Sequence, residues 1–398
     1  MPMYHQLGDV PAKRHIAFRS PGGELYTEEV FGQEGFDGAE SILYHIHSPC
    51  RIAEALPHEP LELVEWLPDE HAHRHFALKD FPEGGDPVQG RQPMLFNDDV
   101  VMWYARPDRA MDCYYRNGEG DELIFIHEGS GILRTMFGPL AYGPGDYLVI
   151  PRGTIYQLVP DSDAPQRHLV IETPGHIRVP KDYINGMGQL LEHAPFYHRD
   201  IRRPGELETI DERGDFLLRV KVRRGFQPYR LDYHPFDVVG WDGYCYPWAF
   251  NIDDFEPKAG RLHQPPPSHL NFRGPNFVVC SFMPRMLDWD ERAIPIPYHH
   301  SNLDSDEVLY YVNGDFSSRR GIDYASVTLH PTGLPHGPQP GLAEKSIGMK
   351  STSEAAVMVD TFRPLRIARP AERWDDGEYR YSWMHEARPG AEPATAAR

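Results

Sequence analysis

Cysteine is scarce. The 398 residues hold four, Cys50, Cys113, Cys245 and Cys280, too far apart for a C-x-x-C pair, so neither a disulfide framework nor a thiolate zinc site is expected. Positive charge is short as well: 40 lysines and arginines face 59 aspartates and glutamates, a formal net charge of −19. That balance argues against partners with a dense negative surface, so no nucleic acid and no membrane is expected among them. No apolar run is long enough for a membrane span, and the opening MPMYHQLGDVPAKRH lacks the apolar stretch of a secretion leader. The expected setting is the cytoplasm.

Helical periodicity is nearly missing too. The 35 glycines and 39 prolines make up about a fifth of the chain, well above the usual share of about 12%, and suit short strands joined by turns. Strand-like runs bounded by Gly, Pro, Asp or Asn recur at 120–129, 145–153, 216–224, 276–284, 307–314, 326–331 and 355–362. In FLLRVKVRR (216–224) apolar and basic residues alternate, as in a strand with one solvated face. Only KDYINGMGQLLEHAPF (181–196) reads as helical, with Tyr183, Ile184, Met187, Leu190 and Leu191 on one face. The last residues, ARPGAEPATAAR, read as a disordered tail over 386–398.

What the chain does have is an internal repeat and 21 histidines. YRNGEGDELIFIHEG aligns without a gap on HSNLDSDEVLYYVNG, setting Tyr115 against His300, Asn117 against Asn302, Glu122 against Glu307 and Gly129 against Gly314. Downstream, Pro151-Arg-Gly153-Thr-Ile-Tyr156 matches Pro331-Thr-Gly333-Leu-Pro-His336. Where the second copy has His300 and His336, the first has Tyr115 and Tyr156. Two neutral imidazoles and a carboxylate can bind a non-haem Fe(II) on one face and leave coordination positions open. Tyrosine is a poor ligand for divalent iron, so the first copy is expected to be structural, with Tyr115 and Tyr156 as core aromatics.

The pattern H-x-N-x4-E-x6-G followed by P-x-G-x-x-H resembles the paired motifs of the cupin superfamily. That implies a mainly β bicupin, two jelly-roll barrels or sandwiches with few short helices: a metal-free N-terminal half over 1–250 and an iron-binding half over 251–385. Around the second copy the resemblance narrows to the homogentisate 1,2-dioxygenase family. It is carried by HPFDVVGWDGYCYPWAFNIDDF (234–255), HQPPPS (263–268), FVVCSFMPRM (277–286), IPYHHSNLDSDE (296–307) and LHPTGLPHGPQPG (329–341).

By position, the resemblance implies His300, Glu307 and His336 as Fe(II) ligands and His263 as a base near a substrate hydroxyl. His330 is a further active-site histidine, and Tyr298 is a substrate-binding position. The implied reaction inserts both atoms of O2 into a hydroquinone with an acidic side chain, homogentisate to maleylacetoacetate being the leading case, in a homo-oligomer, trimer or hexamer. The chain departs from the family pattern at Ser301, at the four residues LDSD (303–306) and at Phe316, where an arginine, three residues and an aromatic hydroxyl are usual. Arg319 or Arg285 could then supply the positive charge for a substrate carboxylate. Gentisate or another substituted hydroquinone, a non-catalytic ligand-binding cupin, and a zinc or manganese isomerase remain as alternatives. His299 is expected on the opposite strand face, and the clusters His45/His47 and His71/His73/His75 are read as structural.

Overall fold

A computed structural model describes residues 3–161, 164–314, 316 and 318–384. The chain is mainly β, and among the described residues the one α-helix is Leu342–Ser346. It folds as two compact units. The first takes Met1–Val64, Pro82–Asp254 and Phe272–Pro275; the second takes Glu65–Phe81, Phe255–Asn271 and the chain from Asn276 onward. Chain order alone misassigns residues 65–81, because the strand Arg74–Ala77 pairs antiparallel with Ser326–His330 and so extends the second unit's sheet. The tail expected over 386–398 lies outside the described residues.

In the first unit one sheet runs Trp248–Asn251, Asp146–Ile150, Asp121–Glu128, Arg167–Thr173, Val101–Ala105. The other runs Gly131–Thr135, Ile155–Pro160, Tyr114–Asn117, Arg213–Lys221, Gly225–Tyr233. Their inner faces share one core: Trp103, Ile124, Leu148 and Val170 from the first meet Tyr115, Leu133, Tyr156 and Leu158 from the second, all buried. Two sheets, antiparallel except for the parallel pair Tyr114–Asn117 with Arg213–Lys221, close on alternate apolar residues as a jelly-roll sandwich. The second unit repeats the order of the first of these sheets with Arg74–Ala77, Ser326–His330, Asp306–Asn313, Ala355–Thr361 and Phe277–Phe282.

The repeat seen in the sequence is also a repeat of hydrogen bonds. Gly153 N–H donates to the Asn117 carbonyl at 2.9 Å and Gly333 N–H to the Asn302 carbonyl at 3.2 Å. Arg152 N–H reaches the Asp121 carboxylate at 2.9 Å, and Thr332 N–H reaches Asp306 at 2.7 Å. The matched glycines carry the turns: Gly129 and Gly314 have φ of +92° and +99°, Gly153 and Gly333 +88° and +82°, a region that side chains with a Cβ rarely adopt.

Two local expectations are corrected. Residues 181–196 form no helix: after a single 3-10 turn at Lys181–Tyr183 the chain reverses, Leu191 N–H bonding back to the Tyr183 carbonyl at 2.8 Å. The Asn185 side chain accepts the N–H groups of Met187 and Gln189, offering the backbone a turn that competes with a helix. In FLLRVKVRR the strand stops at Lys221, which is buried rather than solvated and bonds Glu172 at 2.5 Å, while Arg223 and Arg224 turn with φ near +55°.

Candidate metal centre

The second unit brings His300, Glu307 and His336 together, with one donor atom from each lying within 4.8 Å of the others. His300 and His336 face each other across a two-way backbone bridge, 2.8 and 2.9 Å, and Glu307 is the second residue of the strand Asp306–Asn313. Glu307 lies 3.5 Å from His300 Nε2 and 3.4 Å from His336 Nε2. Donors bound at about 2.0–2.2 Å to one ion stand roughly 3 Å apart when mutually perpendicular, so little closure is needed.

The ring tautomers suit that task. Nδ1 of His300 points at the Tyr298 carbonyl at 3.0 Å and Nδ1 of His336 at the Leu334 carbonyl at 3.4 Å. Protons held there leave both Nε2 lone pairs toward Glu307. Nε2 of His336 is buried and has no hydrogen-bond partner, which is costly unless a ligand takes it up. Burial would raise the Glu307 pKa, but the three imidazoles gathered round it, His300, His330 and His336, hold it well below the usual carboxylate range. An anionic oxygen and two aligned imidazole nitrogens fit a divalent transition metal.

The first unit shows what happens without such a set. In register with His300 and His336 stand Tyr115 and Tyr156, and the place of Glu307 is held by Glu122. Arg91 donates to Glu122 at 2.6 Å and to the Tyr156 hydroxyl at 3.1 Å, and Tyr156 also donates to Glu122 at 2.5 Å. A guanidinium thus neutralises the carboxylate. The neighbouring Glu172 pairs with Lys221 in the same way, whereas its part-buried register counterpart Asp360 has a buried Oδ1 without a partner, and desolvation beside Glu307 pushes its pKa up to about 8.

A cleft open to solvent reaches Glu307 and His300. Phe282, Leu309, Phe316 and Met358 give it apolar walls, and His263, Arg285 and Arg319 are also at its surface. Burial lowers the His263 pKa against the opposing pull of Asp288. Arg285 pairs with Glu354 at 3.1 Å. Arg319 donates to the Gly337 carbonyl at 2.6 Å, and its buried Nε has no partner.

Tyr298 is 60% exposed beside His263, and Ser301 is exposed and outside the cleft lining. Phe316 packs on Tyr311 with ring centres 4.5 Å apart. His330 does not line the cleft: it is fully buried behind Glu307, bonding that carboxylate at 2.8 Å, and burial pushes its pKa down to about 3. It stands where the first repeat has Ile150, opposite the glutamate in both registers.

Of the two histidine clusters read as structural, His45 is held between Asp237 and Glu29 at 2.8 and 2.9 Å. His75 bonds Asp376 and Ser326. His73 packs 5.5 Å from His330 and 6.0 Å from His336. Sequence reasoning missed Arg91, Asp360, Tyr379 and Trp383 around these centres, because none stands in either motif; the register of the repeat could have pointed to Asp360.

The family described as Homogentisate 1,2-dioxygenase N-terminal matches residues 54–252. A protein of Saccharolobus solfataricus, provisionally named a dioxygenase, is 41% identical over 96% of this chain and 99% of its own length. The homogentisate 1,2-dioxygenase of Emericella nidulans is 27% identical over 77% of the chain and 68% of its own length. That of Homo sapiens is 24% identical over 84% and 82%.

Proposed function

Since the chain belongs to the homogentisate 1,2-dioxygenase family and is by that kinship a dioxygenase, we propose that it cleaves the ring of a hydroquinone bearing an acidic side chain, homogentisate first, using Fe(II). The observation that carries this reading is the triad His300, Glu307 and His336, of which His300 and Glu307 line a cleft with apolar walls and a half-buried arginine. Fe(II) held by those three residues would supply open positions at which a ring hydroxyl and O2 come together, overcoming the slow direct reaction of O2 with a closed-shell ring.

The chain's own residues account for the rest. Phe282, Leu309, Phe316 and Met358 exclude water and take the flat ring. His263, kept neutral at pH 7 by its lowered pKa, accepts the proton of the ring hydroxyl. Arg319 takes the side-chain carboxylate, because its Nε is unsatisfied while the charge of Arg285 is already matched by Glu354.

The lost arginine at Ser301 and the lost hydroxyl at Phe316 favour a second reading, in which gentisate or another substituted hydroquinone is preferred. The Fe(II)-loaded protein is to be given homogentisate, gentisate and the methyl ester of homogentisate, with the ring-opened product identified by mass. A kcat/KM for homogentisate at least tenfold above the others supports the first reading; a preference for gentisate supports the second. No product from any of them contradicts both.

A further inference from the structure

A chain of polar contacts runs from the cleft to the back of the metal centre. Glu307, ionised, can only accept, so His330 Nδ1 carries the proton and donates to it at 2.8 Å. His330 Nε2 is then a lone pair and accepts from the Tyr379 hydroxyl at 3.0 Å. On the cleft side the Arg319 guanidinium, which can only donate, acts on the Tyr379 oxygen. Every link therefore has one direction, and the tyrosine hydroxyl fixes which nitrogen of His330 faces the carboxylate.

The segment bearing Tyr379 is docked on purpose-built contacts. Asp376 accepts the backbone N–H groups of Glu378 and Tyr379 at 2.9 and 3.0 Å. His75 holds that same aspartate and reaches Ser326 at 2.8 Å, on the strand that ends in His330. Beyond the tyrosine, Trp383 Nε1–H donates to the Gly337 carbonyl at 3.1 Å and Ser382 is bonded by Gln339 at 2.8 Å. The turn is thus fastened to the residues that follow His336 and, through His75, to the strand that ends in His330.

We propose that Tyr379 is a positioning residue for the metal ligand Glu307, acting through His330. It touches neither ion nor substrate. Outer partners that orient ligands commonly alter metal affinity by about 10- to 100-fold when removed. The inference rests on the metal-site reading, and its test is made on binding rather than turnover.

The dissociation constant for Co(II), a spectroscopic substitute for iron, is measured by competition with a chelator on the full chain, together with the Co(II) absorption bands. Tyr379→Phe keeps the ring and removes the donor; Tyr379→Gln keeps a donor and removes the ring. Positioning predicts that Phe weakens Co(II) binding about tenfold or more and shifts the bands, while Gln stays nearer the parent. A purely structural role predicts the reverse order, and either that order or a Phe variant that binds like the parent overturns the proposal. Should the Phe variant not fold, the Gln variant decides alone: parent-like binding supports positioning and a tenfold loss opposes it. A parent chain that binds no Co(II) would remove the metal-site reading itself.

Discussion

Single side chains fix the chemistry here through what their neighbours leave free. Arg319 illustrates this: its Nε is buried and unbonded at the cleft, whereas Arg285 is held by Glu354. Arg319→Ala should raise KM for the carboxylate substrate about tenfold or more, the scale of one lost charge-assisted bond, and leave the methyl ester nearly unaffected. An equal change for both would show that the arginine serves packing.

His45 makes a separable prediction. Burial alone would lower its pKa, but the hydrogen bonds to Asp237 and Glu29 outweigh that and raise it from 6.5 to about 9. A folded pKa above the unfolded one contributes stability that is fully present below about pH 6.5 and is lost as pH rises through 9. The melting temperature gap between the parent and His45→Gln should accordingly be large at pH 6 and shrink by pH 10; a gap that ignores pH contradicts the charged pairing. That His300, Glu307 and His336 would meet was legible in the sequence, because strand and turn fix their spacing. The place of His330 was not, since six residues before His336 can mean cleft or back wall until the strand register is known.

At the scale of elements, the repeated strand pair and its turns are written in the sequence, because the glycines at matched positions must take positive φ and the aspartates must cap the turn. What pairs with the repeated glutamate is not, since Arg91 lies 31 residues before Glu122 in a segment with no motif. The Arg91–Glu122 pair is nearly fully buried, and removing one partner of such a pair costs about 3–5 kcal/mol. Arg91→Met should therefore lower urea-unfolding stability by that amount, and adding Glu122→Gln should recover much of it. If the single variant unfolds like the parent, the guanidinium is not what neutralises the first module. The misread helix at 181–196 failed for a comparable reason: apolar spacing suggested a face, but Asn185 and the flanking glycines favour a reversal that periodicity does not register.

For the whole molecule, charge and site pull in opposite directions. A net charge of −19 would repel the acidic substrate proposed for the cleft beside Arg319. Added salt screens the long-range term more than the buried contact, so kcat/KM for the carboxylate substrate should rise about twofold or more from low to physiological ionic strength, with the ester unmoved. A fall with salt would instead mean that a local positive field governs capture. No helix among the described residues is long and apolar enough to cross a membrane. The two-unit plan was legible as a repeat, but the crossing of Arg74–Ala77 into the second sheet was not, because that strand lies more than 200 residues from its partner and carries no repeat signature.

The most direct measurement is oxygen uptake by protein purified without air, loaded with Fe(II) and given homogentisate, beside His336→Ala prepared in the same way. The account predicts uptake of one O2 per substrate consumed in the parent and none in the variant. Bound iron with no uptake from homogentisate, gentisate or any related hydroquinone would contradict it.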